Sequence, residues 1–411
     1  MSEPTGPSAA ELRRELTAAF ARQVTVQRRN ILNRLALDPT DAAGVQAYAA
    51  GYRGLATEGW LGLGTPPEYG GRGGDSRQRL LLAETSARAG MPIAGPTLDL
   101  AVPLLQAIGS RAQRQRFLPP LLDGTARVAI ATQVTAALDS ERHSDGPRRL
   151  TGQCLAIADY GTPELLIIAT PGTPSGTPVL CLLTLDSPGV SLTPMPGPSP
   201  VSLHRVRLES VVLPEPAILP FERVQTERLH QLRGLTSAYS CAVHLDMLVS
   251  QVARWAGRAR TAAGPRVIEQ EWVRATLGRA LAQVDGLRTF IEEDADHAPR
   301  AAATTPGWER LVERISVEVP AALAEVLGPE AAIAAGSPRA LLGGEFARLS
   351  ARAGAAALLA VAEQSVLATV SPPDPAAQHG TPVSTEDPTP PPSGLGIPES
   401  LGGRGGSLSQ W

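Results

Sequence analysis

The stretch from Gly59 to Ser76, GWLGLGTPPEYGGRGGDS, constrains the fold of this chain more than any other part of it. Glycine adopts backbone angles that other residues avoid, and proline fixes its own φ angle. The run that follows, Arg77 to Ala89, places its leucines and alanines at helical spacing. These residues predict a tightly packed turn that leaves one helix and enters another. Taken alone, they favour a structural loop over a functional one.

Composition excludes several classes of function. The chain has 411 residues, enough for two or three domains with a substantial core. Its formal net charge of -3 gives no general attraction to nucleic acid. The 37 basic residues are all arginine, so no lysine is available as a Schiff-base or general-base group.

Cysteine use and hydropathy predict a cytoplasmic protein. Cys154, Cys181 and Cys241 are far apart and form no CxxC pair, which favours packed thiols over a disulfide framework or a metal site. The N-terminal residues are polar and do not resemble a signal peptide. No run of 18 apolar residues is present, so we expect no membrane span.

The pattern changes twice along the chain, which predicts three domains. Residues 1–125 have helical spacing, with a capping box expected at Ser8 and Glu11. Residues 126–222 carry short runs of Val, Ile, Leu and Thr between Gly and Pro clusters, as in a compact β domain. Residues 223–370 are helical again and predict a bundle of four long helices.

The tail contains a linker and a partial repeat. Residues 371–393 are rich in Pro, Thr and Ser and predict a disordered linker. Residues 394–411 contain GLGIPESLGGRGGS, which repeats most of the motif at residues 62–76. We interpret it as the opening of a second copy of the same domain type, and a Gly-rich low-complexity tail is the alternative.

The first loop and two later segments resemble the acyl-CoA dehydrogenase family, in particular its bacterial FadE-like members. The family pattern GW--L--PEEYGG-G, with E---A--G in the next helix, is matched at Gly59, Trp60, Pro67, Glu68, Tyr69, Gly70, Gly71, Gly73, Glu84, Ala87 and Gly90. Pro103 to Gly124 is similar to the family segment that ends the first domain. The resemblance implies an α+β multidomain fold: an all-α N-terminal domain, a central β-barrel and a C-terminal helical bundle that also makes the oligomer contacts.

The resemblance also implies a reaction and a cofactor. The family removes the α-proton of an acyl-CoA thioester with a carboxylate and passes the β-hydrogen as hydride to FAD. Thr132 matches the threonine of the first flavin segment, whereas the GSD element of that segment is not found. In the second flavin segment, Cys154, Ala156 and Ala158 replace the lysine, tryptophan and threonine of the family.

Two polar residues of the helical region match the family's contacts with the dinucleotide part of FAD. Arg260 and Gln270 align with its R--FG-----Q pattern, although the spacing is one residue short. The planar fork of an arginine suits a pyrophosphate. A solvent-facing arginine on a helix is the alternative interpretation.

The catalytic base is missing from the positions where the family carries it. Leu359 occupies the expected base position on the last helix, and the other known position falls at or near Gly234. Glu363 lies a helical turn away and would point to the wrong side. The sequence therefore predicts no catalytic residue.

Three interpretations remain open. The chain is a working FAD-dependent acyl-CoA dehydrogenase with unusual site residues, a degenerate member that serves as non-catalytic partner in a homo- or hetero-oligomer, or a truncated product of a tandem fusion. The tail repeat favours the second and third.

Overall fold

A computed structural model of the chain describes residues 7–38, 40–141, 148–159, 161–170, 179–195, 201–219, 235–296, 308–328 and 340–370. The predicted linker at 371–393, the partial repeat at 394–411 and Gly234 lie outside these residues. The tandem-fusion interpretation, which rests on the repeat, therefore stays a hypothesis.

The N-terminal part of the chain is helical, as predicted. Its α-helices are α1 (Ala9–Gln23), α2 (Val26–Leu35), α3 (Ala42–Thr57), α4 (Ser76–Ala89), α5 (Val102–Ile108) and α6 (Arg111–Leu122), and a π-helix (Pro96–Ala101) precedes α5. The capping box of Ser8 and Glu11 is confirmed at the start of α1. A second box, in which Asp75 and Gln78 bond each other's backbone, begins α4 directly after the Gly-rich stretch.

The Gly-rich stretch forms the tight turn between α3 and α4 that its composition predicts. A side chain at Gly71 would place its Cβ atom 1.9 Å from the carbonyl oxygen of Thr65, so no other residue fits there without backbone movement. Gly70 has a φ angle of 84°, in the left-handed region that favours glycine. The guanidinium of Arg72 lies 3.9 Å from the ring centroid of the buried Trp60.

One mixed sheet follows, with seven strands among the described residues. They are β1 (Val128–Glu141), β2 (Arg148–Ala158), β3 (Leu165–Thr170), β4 (Val179–Thr184), β5 (Val190–Met195), β6 (Ser202–Leu213) and β7 (Ile218–Leu219), in the order β5-β6-β2-β1-β3-β4-β7. The predicted central β domain is confirmed, but the predicted barrel closure is wrong. In the described sheet β5 pairs only with β6, and the two-residue β7 pairs only with β4, so the two ends of the sheet do not meet.

The two faces of the sheet belong to different cores. Val128, Ile130 and Ile157 face the N-terminal helices and join their hydrophobic cluster. Ala129, Cys154 and the alternate residues of the neighbouring strands form a second cluster, separate from that of the N-terminal helices. The alternation along each strand decides which core each residue enters.

The C-terminal part consists of four helices among the described residues. They are α7 (Leu235–Ala256), α8 (Glu271–Asp296), α9 (Trp308–Leu327) and α10 (Ala340–Val370). α7 packs against all three others and against α4, and α10 also contacts β1 and the π-helix. The fold class is therefore confirmed in element order, while the exact domain boundaries stay predictions. In the described part of the chain, no helix is both long and apolar enough to cross a membrane.

Candidate functional site

The region where the last helix meets the end of β2 contains a small cavity of about 30 Å³, here named the β2 cavity. Leu359, the residue at the expected base position, lines it and is 7% exposed. The other walls come from the loop after α4, the end of β2, α7 and α10. The lining residues are Tyr48, Pro92, Ala94, Ala158, Asp159, Val201, Ser240, His244, Arg352, Ala355, Ala356 and Leu359.

Asp159 brings a buried carboxyl group to this cavity. It directly follows β2, and its carboxylate accepts hydrogen bonds from the side chain and the backbone of Thr97. A Cβ atom at Gly95 would lie 2.0 Å from Oδ1 of Asp159, so this close approach requires glycine. Burial raises the pKa of Asp159 to about 6, against the opposing effect of the Thr97 hydrogen bond.

A second buried carboxyl group, Asp99, sits on the π-helix. Its Oδ2 accepts a 2.6 Å hydrogen bond from the hydroxyl of Ser237, and its Oδ1 lies 3.5 Å from a guanidinium nitrogen of Arg79. Burial raises the pKa of Asp99 to about 6 although Arg79 and Ser237 favour its charged form. π-Helical turns occur often at functional sites, and this one aims Asp99 at α7.

Ser240 and His244 bring polar atoms from α7 that have no hydrogen-bond partner. The hydroxyl of Ser240 and Nε2 of His244 are both buried and unpaired. Nδ1 of His244 lies 2.8 Å from the carbonyl oxygen of Ser240. Burial lowers the pKa of His244 to about 3, and the positive charge of Arg352 acts in the same direction, so the ring is neutral at pH 7.

The two predicted flavin segments are neighbours, because β1 pairs with β2. Ala131 and Gln133 of β1 face Ala156 and Leu155 of β2, so Thr132 is the extra residue of a β-bulge. Ala156 and Ala158 are buried in the second hydrophobic cluster, together with Ala129 and Cys154. The segments are therefore together, but their alanines offer no aromatic face for a flavin ring.

Arg260 and Gln270 lie far from the β2 cavity. Both belong to the connection between α7 and α8, where the exposed Arg260 donates to the carbonyl oxygen of Gly264 at 2.8 Å and Gln270 accepts from the indole of Trp272. A rise of about 1.5 Å per residue puts about 24 Å of helix between Ser240 and the end of α7. Within one chain, the described residues predicted to bind FAD do not converge on one site.

Sequence reasoning missed the two aspartates and the polar residues of α7. Asp159 follows a strand in LTGQCLAIAD. Asp99 lies in an apolar run, GPTLDLAVP, where a single charged residue could have indicated a functional position. Ser240 and His244 are separated by one helical turn on a helix that is otherwise rich in apolar residues. Of the described Asp, Glu, His and Cys residues, no three are grouped so that they could hold a metal ion.

Known proteins with similar sequences and folds share this architecture. The family model described as acyl-CoA dehydrogenase, N-terminal domain, matches residues 12–125. Acyl-CoA dehydrogenase FadE26 of Mycobacterium tuberculosis is 27% identical over 377 residues, which cover 84% of this chain and 90% of that protein.

Two solved structures illustrate the similarity in fold. A chain in the crystal structure of the ChsE4-ChsE5 complex of Mycobacterium tuberculosis matches with a TM-score of 0.69 and 22% identity, over 90% of this chain and 97% of that one. Butyryl-CoA dehydrogenase of Megasphaera elsdenii matches with a TM-score of 0.64 and 14% identity, over 88% and 98%. Sequence motifs, element order and these matches agree: residues 12–125 match the acyl-CoA dehydrogenase N-terminal domain, and the chain is similar over most of its length to acyl-CoA dehydrogenase FadE26.

Proposed function

We propose that this chain is the non-catalytic subunit of a heteromeric acyl-CoA dehydrogenase, whose partner subunit belongs to the same family and supplies the base. The observation that carries the proposal is the side chain of Leu359. It comes from α10 into the β2 cavity and packs in the same hydrophobic cluster as Ile130 and Ile167 of the sheet. A leucine cannot take a proton from a substrate.

The buried carboxyl groups nearby have other partners, which supports the proposal. Asp159 is held by both the side chain and the backbone of Thr97, and Asp99 is held by Ser237. These hydrogen bonds join Asp159 to the π-helix and Asp99 to α7. Both groups thus serve the packing of the domains against one another.

The placement of Arg260 and Gln270 supports a shared cofactor site. Acyl-CoA dehydrogenases typically bind FAD, which accepts hydride from the acyl group. Arg260 is exposed, and about 24 Å of helix separates Ser240 of the β2 cavity from the end of α7. Its guanidinium would contact the pyrophosphate of a flavin bound mainly by another subunit. The ChsE4-ChsE5 structure is of a complex of two named chains, a precedent for such assembly.

A second candidate function is dehydrogenation of an acyl-CoA by this chain itself, with Asp159 as a relocated base. The specific observation in its favour is that Asp159 lines the same cavity as Leu359 and has its pKa raised to about 6. A base with a pKa near the working pH is effective in proton transfer.

Co-expression with a catalytic acyl-CoA dehydrogenase subunit of the same organism tests both functions. We expect the chain alone to be colourless and the purified complex to be yellow, with flavin absorbance that an acyl-CoA thioester bleaches. In the complex, Arg260→Ala should lower flavin retention, whereas Arg258→Ala, an exposed arginine two residues earlier, should not.

Asp159→Asn separates the two candidates. As a subunit without a base, the chain should leave the turnover of the complex within about twofold of the unmodified value. A yellow, acyl-CoA-bleachable protein from the chain alone, with activity abolished by Asp159→Asn, would establish the second candidate instead.

A further inference from the structure

A cleft lies between α6, the start of β3 and the turn after β4. Its volume is about 530 Å³, within the range of about 300–1,000 Å³ that is usual for small-molecule sites. It shares no lining residue with the β2 cavity, so it is a separate place on the molecule. We name it the α6 cleft.

The floor of the α6 cleft is apolar. Phe117 of α6 and Leu165 of β3 belong to the hydrophobic cluster of the N-terminal helices, whereas Leu185 and Leu192 pack against the second cluster, that of the sheet. Both hydrophobic clusters therefore contribute side chains to the cleft. A ligand that removes such side chains from water gains about 25 cal/mol for each Å² of apolar surface.

Two side chains of opposite charge line the cleft from different elements. Arg116 belongs to α6, and its guanidinium lies 5.1 Å from the ring centroid of Phe117. Asp186 belongs to the turn after β4. Both are exposed, and neither forms an ion pair with another residue in the described part of the chain. The cleft thus presents one cation and one anion that do not neutralise each other.

A third charged side chain of the cleft, Glu164, already has a partner. Its Oε2 accepts the backbone N–H of Arg127 at 2.7 Å, which joins it to the residue before β1. The best match to the remaining charges is a molecule with an anionic group, a cationic group and an apolar body. A free peptide of apolar residues has this chemistry, because its side chains lie between its ammonium group and its carboxylate.

We propose that the α6 cleft binds a short peptide of apolar residues with free termini, whose carboxylate pairs with Arg116 and whose ammonium group pairs with Asp186. The side chains of the peptide lie on the apolar floor. A peptide of three residues extends about 10 Å, since each residue adds about 3.3 Å. The inference goes beyond the proposed function, because it needs neither a flavin nor a partner subunit.

Isothermal titration calorimetry of the full chain with trileucine tests the proposal. We expect saturable binding of trileucine, and binding at least about tenfold weaker for N-acetyl-trileucine amide, which has the same side chains without charged ends. Arg116→Gln and Asp186→Asn should each weaken trileucine binding about fivefold, which corresponds to ~1 kcal/mol for one exposed charge pair. Equal affinity for the two peptides would mean that the cleft takes uncharged apolar partners and would overturn the proposal, as would no binding of trileucine.

Two singly capped peptides show which charge each residue contacts. Arg116→Gln should leave the affinity for trileucine amide unchanged, because this peptide has no carboxylate. Asp186→Asn should leave the affinity for N-acetyl-trileucine unchanged, because that peptide has no ammonium group. A loss of affinity that is the same for free and capped peptides would overturn the proposed pairing.

Arg111→Gln is the matched control on the same helix. Arg111 is exposed and does not line the cleft, so its substitution should not change trileucine binding. The three substitutions are at exposed positions and should leave the melting temperature within about 2 °C of that of the unmodified chain. An equal loss of trileucine affinity in Arg111→Gln and Arg116→Gln would show a general effect of charge and would overturn the site.

The outcome is independent of the heteromer. The titration uses the isolated chain without flavin or thioester, so a failed trileucine experiment leaves the proposed subunit role intact. A chain that binds trileucine but forms no flavin-bearing complex would retain the cleft and lose the subunit role.

Discussion

The hydroxyl of Ser237 donates a 2.6 Å hydrogen bond to Oδ2 of Asp99, and this bond joins the first turn of α7 to the π-helix of the N-terminal domain. Both residues are buried, at 0% and 3% exposure. The bond favours the charged form of Asp99 in a place where burial favours the neutral form.

We predict that Ser237→Ala lowers the free energy of unfolding by about 2 kcal/mol, because a hydrogen bond to a charged group contributes about 1.5–3 kcal/mol. Urea unfolding at pH 7 measures the change. Thr17→Ala is the control, since the hydroxyl of Thr17 bonds a carbonyl oxygen of its own helix at an exposed position. An equal loss of unfolding free energy in both variants would contradict a stabilising role of the Ser237–Asp99 hydrogen bond.

Asp159 should make stability depend on pH. Its pKa in the folded chain, about 6, is above the ordinary value of 3.8, so the folded form holds a proton that the unfolded form releases. This stabilising contribution is complete below about pH 4 and is lost as the pH rises through 6. It amounts to about 3 kcal/mol at most, since one pKa unit is about 1.4 kcal/mol.

Asp159→Asn removes this dependence, and we therefore expect the variant to gain stability relative to the unmodified chain between pH 4.5 and pH 7.5. Urea unfolding at the two pH values measures the difference. The subtraction cancels the titration of His244, whose lowered pKa acts in the opposite direction. A constant difference between the two proteins at all pH values would refute the raised pKa.

The Gly-rich turn should tolerate no side chain at Gly71. Gly71→Ala places a Cβ atom 1.9 Å from the carbonyl oxygen of Thr65, and we expect a loss of about 3 kcal/mol or more from overpacking against backbone. Thermal unfolding followed by circular dichroism measures it.

Gly278→Ala is the matched control for the turn. Gly278 lies exposed within α8, and a Cβ atom there meets nothing within 4 Å. Alanine should stabilise this helix by about 0.5–1 kcal/mol. A Gly71→Ala variant as stable as the unmodified chain would show that the backbone of the turn can move without loss of stability.

Glu84 should be a stabilising link between three helices. It lies 3.0 Å from Arg13 of α1, 3.0 Å from Arg88 of α4 and 3.9 Å from Arg288 of α8. Burial raises the pKa of Glu84, but the hydrogen bonds from Arg13 and Arg88 outweigh burial and leave the pKa lowered.

Glu84→Gln keeps the size of the side chain and removes its charge, and we expect it to destabilise the chain by about 2–3 kcal/mol. Glu318→Gln, in an exposed pair with Arg314, should change stability by less than about 0.5 kcal/mol. Chemical unfolding of both variants at pH 7 makes the comparison. Similar small effects would mean that the arginines around Glu84 find other partners.

The parts of the fold that local chemistry decides could be predicted from sequence. Ser8 with Glu11 predicted a helix start, and the glycines and prolines of residues 59–76 predicted the turn, because both depend on neighbours in the chain. The openness of the sheet was not predictable in this way. It depends on whether β5 and β7 find partners far away in sequence, and no local pattern records that.

The site was less accessible to sequence reasoning than the fold. Leu359 lines the β2 cavity, but whether it stands at the family's base position stays a prediction. The family motifs drew attention away from Asp99 and Asp159. Ser240 and His244 were missed since the leucines and valines of the same helix supplied the expected apolar periodicity. Whether Thr132, Arg260 and Gln270 bind a cofactor stays a prediction.

An unclosed sheet has two borders, and both are poorly suited to recruiting a strand from another molecule. β5 contains Pro194, which has no N–H group to offer, and β7 is only two residues long. Contact through the borders of the described sheet would therefore be weak. A second chain that binds the described residues would then do so mainly through their side chains, which can distinguish a correct companion from a mismatched one.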